Sequence, residues 1–242
     1  MPLRREVETK FKLRNKNEIE SAISRLFAFG GFEEHETCTQ LDYTLDTPDW
    51  TCRRNGLILR FRRLMSDGAK PMVLLTFKEK RELAMFRDYD ETEFDLNFPD
   101  MEAWRHIQTR LLKVTKLQLP GSILLPGKFT SIVDAVRKAG FSRHRILLEK
   151  IRREFSLSSD GIHVTIDSFP DGIGTYLEIE AYDPTNLEKY IQQLALSDYE
   201  LEPLDYGEIL KRHKRHLPEV LQRTAVFDTN VRDIIIGSLG QV

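Results

Sequence analysis

Polarity along this chain alternates first with a period of two. Residues 4–13 read Arg-Arg-Glu-Val-Glu-Thr-Lys-Phe-Lys-Leu. Successive side chains of a strand face opposite ways, so Glu6, Glu8 and Lys10 share one face while Val7, Thr9 and Phe11 share the other. The apolar face can pack, and the charged face must meet something. The same period returns over residues 38–46, 57–64, 72–80, 86–96, 146–157, 162–168 and 176–182. Asn55-Gly56, Asp67-Gly68, Asp160-Gly161 and Asp171-Gly172 stand before or between these runs, and Thr47-Pro48 ends the second. Such dipeptides predict hairpin turns, and hairpins predict antiparallel pairing.

Between the strands the period changes to that of a helix. Ile19, Ala22, Ile23, Leu26 and Phe27 predict a packing helix over 17–29, with Asn17 as its cap and Gly30-Gly31 as its stop. Asp100 opens a helix carrying Trp104, Ile107, Leu111 and Leu112; Pro120 and Pro126 bracket a loop; a short helix over 129–139 stops at Gly140. Two more helices are expected over 186–196 and 206–216. The sum is an α+β protein of eight antiparallel strands with flanking helices. One domain is expected over 1–216, followed by an extension, 217–242. The Ile234-Ile235-Ile236 patch of that extension has no assignable period and suits a packing arm, a partner-binding segment or a frayed tail.

Composition narrows the class. The 242 residues are 40% hydrophobic and 31% charged, with a formal net charge of −2, which is a charge-rich globular composition. That balance argues against a general nucleic-acid binder, since those carry a net basic domain or stripe. Cys38 and Cys52 are too few for a disulfide framework and wrongly spaced for a cysteine zinc site, so a reducing cytoplasmic setting is expected. No run approaches the roughly 20 apolar residues that cross a bilayer, and neither a signal peptide nor a membrane anchor is expected. His35, His106, His144, His163, His213 and His216 show no metal-binding spacing and are expected to be structural or solvated.

The charged strand faces are the candidate chemistry. They collect Glu6, Glu8, Lys10, Arg60, Arg62, Lys78, Glu91, Glu93, Lys150, Arg152, Asp167, Glu178 and Glu180. In an open antiparallel sheet such faces simply meet water. Here the carboxylates recur as same-face pairs in three strands, which suits a shared divalent ion, and the cations pair likewise, which suits several oxygens of one polyanion. Eight strands can close into a barrel whose interior holds one small ligand. Unpaired charge inside it would cost several kcal/mol per ion, and a polyphosphate with Mg²⁺ or Mn²⁺ would offset that cost through phosphate–cation contacts and oxygen ligands suited to hard ions.

The stretch Glu6-x-Glu8-x-Lys10 resembles the signature of the CYTH superfamily, the triphosphate tunnel metalloenzymes, which includes class IV adenylyl cyclases and thiamine triphosphatases. The resemblance continues in order through Asp46-Thr47-Pro48, Leu59-Arg60-Phe61-Arg62, Thr76-Phe77-Lys78, Glu91-x-Glu93, Lys150-x-Arg152, Ile166-Asp167 and Gly174-x-x-Leu177-Glu178-Ile179-Glu180, across about residues 2–216. It implies an eight-stranded antiparallel tunnel, open at both ends, with a triphosphate along its axis. By matching positions it implies a phosphate clamp of Lys10, Arg60, Arg62, Lys78, Lys150 and Arg152, and a metal set of Glu6, Glu8, Asp167, Glu178 and Glu180 for Mg²⁺ or Mn²⁺. Glu91 and Glu93 complete the lining, and Glu8, Lys10, Glu178 and Glu180 are the residues expected nearest the chemistry. The chain departs from the pattern at Tyr89, where a basic residue is common and Arg87 stands a step further back. It departs again at Asp205-Tyr206, where the family often has Ser-Tyr.

Three functions share such a tunnel. A triphosphatase delivers water to the terminal phosphorus, while a cyclase lets a ribose 3′-hydroxyl attack the α-phosphorus and expels pyrophosphate; both rest on positioning and charge neutralisation. The residues show a clamp and no base pocket, so the expected function is a metal-dependent triphosphatase, with a class IV adenylyl cyclase as the alternative. A non-catalytic polyphosphate or nucleotide sensor is the third reading. The expected partners are a small-molecule triphosphate, no membrane and no general nucleic acid, with a homodimer as the assembly to test. The basic run Lys211-Arg212-His213-Lys214-Arg215-His216 is expected either as a solvated helix end or as a rim that steers anions to the tunnel mouth.

Overall fold

The computed structural model describes residues 4–81, 86–125 and 127–228. Alternation does become strands: β1 (Arg4–Leu13), β2 (Cys38–Asp46), β3 (Leu57–Met65), β4 (Met72–Lys80), β5 (Arg87–Asp95), β6 (Arg143–Leu157), β7 (Ile162–Phe169) and β8 (Gly174–Ala181). They pair antiparallel in the order β1-β5-β4-β3-β2-β6-β7-β8, and β8 returns to β1. The sheet is therefore a closed eight-stranded barrel. Turn chemistry helps to set it, most clearly at Asp171-Gly172, where φ values of +59° and +70° place both residues in the left-handed backbone region, the turn whose twist matches the right-handed twist of the flanking strands.

Among the described residues six helices flank the barrel: α1 (Lys16–Phe29), α2 (Thr51–Arg54), α3 (Met101–Thr115), α4 (Phe129–Lys138), α5 (Pro184–Gln193) and α6 (Tyr206–His213). Asn15, not Asn17, caps α1, its side chain accepting from the Glu18 amide. Asp100 caps α3 as its sequence suggests. The short α2 escapes periodicity because four residues cannot display one. The last two helices end earlier than expected, α5 passing into a 3₁₀ turn at Leu196–Asp198 and α6 stopping at His213. Pro126 and the isoleucine patch at 234–236 lie outside the described residues.

The hydrophobic core lies outside the barrel wall. One cluster joins the outer faces of β2–β5, including Leu59, Phe61, Leu75 and Phe77, to Trp104, Ile107 and Leu111 of α3 and to Ile132 and Val136 of α4. A second joins Val7, Phe11, Val164, Ile166, Leu177 and Ile179 to Ala22 and Leu26 of α1 and to Leu187 and Tyr190 of α5. Parity then leaves the charged faces no direction but inward.

β6 is longer than its neighbours, and its first half has an edge that β7 does not reach. Thr224 and Ala225 cover that edge, pairing parallel to Leu147 and Leu148, and Ala225 and Val226 are buried there. The start of the expected extension thus seals a strand edge that would otherwise be open to pairing with another chain. Removing residues 217–242 is expected to lower the melting temperature by about 5 °C or more, because a buried valine contributes roughly 1.5–3 kcal/mol and each kcal/mol moves a domain of this size by about 2–4 °C. Scanning calorimetry of the truncated chain tests this, and an unchanged transition would show that the edge needs no cover.

Candidate functional site

The barrel encloses a cavity of about 540 Å³ lined mainly by polar residues, to which all eight strands contribute, β7 through His163; the expected site residues Lys10 and Asp167 are not in its lining. The pairing registers order its wall. At one end, where α6 and residues 202–208 pack, stand Arg87, Lys80 and Ile58, with Lys10 sealed outside the lining; at the other stand Glu6, Glu93, Leu74, Gln40 and His163.

Within the tunnel the acidic residues separate into two groups. Glu6, Glu8 and Glu180 each offer a carboxylate oxygen, and these atoms lie within 4.8 Å of one another. β1 and β8 bring them together directly, with Glu8 opposite Glu180. Asp167 and Glu178 are instead committed to cations. Asp167 accepts from Lys150 at 2.7 Å, from Arg152 at 2.6 and 2.7 Å and from the Tyr206 hydroxyl at 3.2 Å. Glu178 lies 3.4 Å from Lys10 and 3.5 Å from Arg152.

The cations are held with unequal firmness. Lys78 sits on Glu6 at 2.6 Å and reaches Glu91 at 3.5 Å. Arg62 grips Asp42 with both ends of its fork, at 2.6 and 2.9 Å. Arg60 is the loosest, 3.6 Å or more from Asp42, Glu91 and Glu93, with its closest donor contact to Thr76 at 3.3 Å. Glu93 is itself occupied by the Thr76 hydroxyl at 2.5 Å. Lys10 is sealed in at 1% exposure, donating to the Leu204 carbonyl at 3.1 Å and lying 3.8 Å from the Tyr206 ring centre.

Burial and neighbouring charge set the protonation. Burial pushes Glu6 well above the usual carboxylate range against the pull of Lys78, with Glu180 and Glu91 adding to the rise. Burial likewise lifts Glu180 to about 7, aided by Glu8 and Glu178. Burial acts on Glu8 too, but Lys78, Arg87 and Lys10 outweigh it and hold Glu8 at about 2. Lys150 is brought down to about 8 by burial and by Arg152. The three-carboxylate cluster is therefore short of positive charge, whereas Asp42 and Asp167, similarly buried, are kept below the usual range by arginines.

Several lining residues were not among those chosen from sequence. Asp42 anchors Arg62, and its shared face with Gln40 and Thr44 was the available signal. Arg87 does enter the lining, donating to Glu8 at 3.1 Å and to the Pro203 carbonyl at 3.0 Å. Tyr206 covers Lys10 and Asp167 from α6, a placement that no strand pattern encodes. Glu154 and His163 face each other at 3.7 Å toward the acidic end.

A closed antiparallel barrel with its apolar faces outward and its charged faces around an internal cavity defines the class of the protein. The chain belongs to the CYTH domain family, whose family model matches residues 4–205. No curated protein matches the chain. Among solved structures it is similar to the PH1819 protein of Pyrococcus horikoshii OT3, at 18% identity and a TM-score of 0.61 over 86% of this chain and 99% of that one. It is also similar to a protein of Vibrio parahaemolyticus described as a candidate adenylate cyclase, at 21% identity and a TM-score of 0.53 over 87% and 99% of the two chains. A third likeness is to HpAC1 of Hippeastrum, described as having a dominant triphosphatase activity, at 17% identity and a TM-score of 0.55 over 88% and 98%. At these identities the likenesses establish the fold. Among the described residues, no helix is long and apolar enough to cross a membrane.

The Glu180 carboxyl yields a pH test. Its folded value of about 7 lies above its ordinary 4.5, so between those pH values the folded protein holds a proton that the unfolded chain has released, and stability falls as pH rises through the window. Glu8, shifted the other way, acts only below about pH 4.5. Metal-free Glu180→Gln is expected to show a shallower loss of stability between pH 5 and 7, recovering up to about 3 kcal/mol above pH 7. Parallel denaturation profiles for the two proteins would contradict the crowding of carboxylates.

Proposed function

We propose that this protein is a divalent-metal-dependent phosphohydrolase that cleaves a triphosphate bound along the barrel axis. The observation that carries the reading is a trio of crowded carboxylates facing a cationic wall inside one cavity. Oxygen-only donors within 4.8 Å of one another suit a hard cation, and burial leaves the trio short of positive charge, so the residues fit Mg²⁺ or Mn²⁺. Glu6, Glu8 and Glu180 would hold that ion, with Glu178 and Asp167 behind them, fixing Lys10, Lys150 and Arg152. When bound, the divalent ion supplies Lewis-acid polarisation of the phosphoryl oxygens.

The rest of the chemistry belongs to the side chains. Arg60, Arg62, Lys78, Lys150 and Arg152 line the cavity and exchange carboxylate partners for phosphate oxygens when a triphosphate enters, so their charges stay compensated throughout. Lys10 joins them once the Leu204 carbonyl and Tyr206 yield, and Glu178 orients it. Glu91 and Glu93 restrain Lys78 and Arg60 and keep the wall from closing on itself. Water oxygen then bonds to the terminal phosphorus as the bridging P–O bond breaks. The clamp neutralises the charge gathering on the leaving oxygen, a contribution of position and electrostatics and not of a covalent nucleophile.

Hydrolysis is favoured over cyclisation because clamp and carboxylates together are sufficient for attack by water. The dominant triphosphatase activity described for the Hippeastrum protein agrees with that reading, and the description of the Vibrio protein keeps cyclisation as the competing outcome. A reducing cytoplasmic setting accords with the two free cysteines.

Incubation with ATP, thiamine triphosphate and inorganic tripolyphosphate, with Mg²⁺ or Mn²⁺, is expected to release orthophosphate from at least one substrate and to stop on chelation. Glu8→Gln is expected to lower kcat by about 100-fold or more, the scale of losing one electrostatic contact to the transition state. Cyclic AMP with pyrophosphate would replace hydrolysis by cyclisation. A raised melting temperature with no turnover of any of the three would mark a sensor.

A further inference from the structure

The end of the tunnel beside α6 opens into a shallow cleft of about 30 Å³ lined by Arg53, Arg145, Lys211 and Arg223, together with Asp205 and Glu208. Arg53, Arg145, Asp205 and Glu208 also line the tunnel, so the two spaces are continuous. We infer that this mouth is a second phosphate-binding subsite, distinct from the clamp inside the barrel and able to hold phosphoryl groups beyond the three of a triphosphate.

Four elements deliver these cations to one place. Arg145 arrives by a β-bulge: Thr44 pairs with Ile146 but Leu45 pairs with His144, leaving Arg145 as the extra residue of β6, and such a residue is re-aimed away from the regular alternation. Its guanidinium donates to the Leu57 carbonyl at 2.9 Å. Among the described residues neither Arg145, Arg53 nor Lys211 has an ion-pair partner within 4.0 Å. Arg223 shares Glu219 with Arg143, at 2.7 and 3.3 Å, and its buried Nε has no acceptor. Trp50 braces the group, its ring 4.4 Å from Arg223, 4.8 Å from Arg143 and 6.0 Å from Arg53.

The two carboxylates of the cleft are already employed. Asp205 and Glu208 form the capping box of α6, each accepting from the other's backbone amide. Burial, with the neighbouring cations, lowers the proton affinity of Lys211 and Arg223 against the pull of Glu219. Lys214 plays no part: it is buried, paired with Asp171 and donating to the Thr224 carbonyl.

Arginine forks match phosphate oxygens, and the geometry of β6 sets the distance. Arg145 stands five positions before Lys150, about 16 Å of backbone at strand rise, which is further than three phosphoryl groups joined by single bridging oxygens extend. Lys211 and Arg223 lie beyond residues 4–205 matched by the family model, while Arg53 and Arg145 lie within them, so half of the cationic lining comes from the part of the chain that the model does not match. The phosphoryl groups have two sources, the continuation of a chain already clamped in the tunnel, or a separate orthophosphate. The first source rests on the triphosphate reading of the tunnel, and the second does not.

Calorimetric titration of the metal-free full chain separates the two. Arg53→Ser with Lys211→Ser removes two cations that lack ion-pair partners, and an unchanged melting temperature confirms the fold. If the mouth continues the tunnel, the double variant loses about tenfold or more in affinity for long linear polyphosphate and changes less than about twofold toward tripolyphosphate. If it takes separate orthophosphate, the wild type saturated with tripolyphosphate binds a further equivalent of orthophosphate and the variant does not. A variant that matches the wild type toward long polyphosphate, with no further orthophosphate bound by either protein, would overturn the subsite. Failure of tripolyphosphate itself to bind would count against the tunnel reading alone, since orthophosphate at the mouth is still compared between the two proteins.

Discussion

Strand β1 is paired along both of its edges, and the rest of the molecule depends on that double pairing. β5 takes one edge of β1 and β8 takes the other, which turns a strip of antiparallel sheet into a tube. Once the tube is closed, parity leaves each side chain a choice between helices outside and a confined axis inside. The apolar residues have α1, α3, α4 and α5 to meet. The charged ones have only each other, in a space where an isolated charge costs several kcal/mol. A slip of one residue in β1 would exchange Glu6, Glu8 and Lys10 for Val7, Thr9 and Phe11 and undo both arrangements.

The lining shows how that cost is met. Asp42 and Asp167 are tied to arginines by short, forked hydrogen bonds, and these pairs make rigid sections of wall. Glu6, Glu8 and Glu180 have fewer cations than carboxylates, and Arg60 has contacts but no close partner. Buried ion pairs are weak contributors to stability when hydrophobic packing could replace them, so a wall built from them points to use. The imbalance is directional: surplus negative charge gathers on β1 and β8, and available positive charge on β3. An anion with a divalent ion fits between them with complementary sign on both sides.

Much of this was legible in the sequence because a strand's period is simple and its consequences are global. The eight strands follow from alternation and turn dipeptides, and the inward set follows from parity once the tube is closed. The ordered motifs from Glu6 to Glu180 supplied the family. What escaped depends on contacts between distant segments. Tyr206 covers Lys10 from a helix whose docking has no periodic signature. Arg145 reaches the mouth through a bulge, an irregularity that alternation conceals. Thr224 and Ala225 look like the start of a tail, and only the unpaired edge of β6 gives them a place. Sequence grouped five acidic residues as one metal set, and three of them come together, because Asp167 and Glu178 lie nearer the arginine and lysines that occupy them.

The central claim is that one elongated anion and one divalent ion occupy the barrel axis between the carboxylate trio and the cationic wall. Anomalous scattering from crystals grown with Mn²⁺ and a non-hydrolysable triphosphate analogue measures both positions at once. The account predicts a manganese peak within bonding distance of Glu6, Glu8 and Glu180, with phosphate density running past Arg60, Arg62 and Lys78. Manganese on the outer surface, or an analogue bound outside the barrel while the axis holds only water, would contradict it.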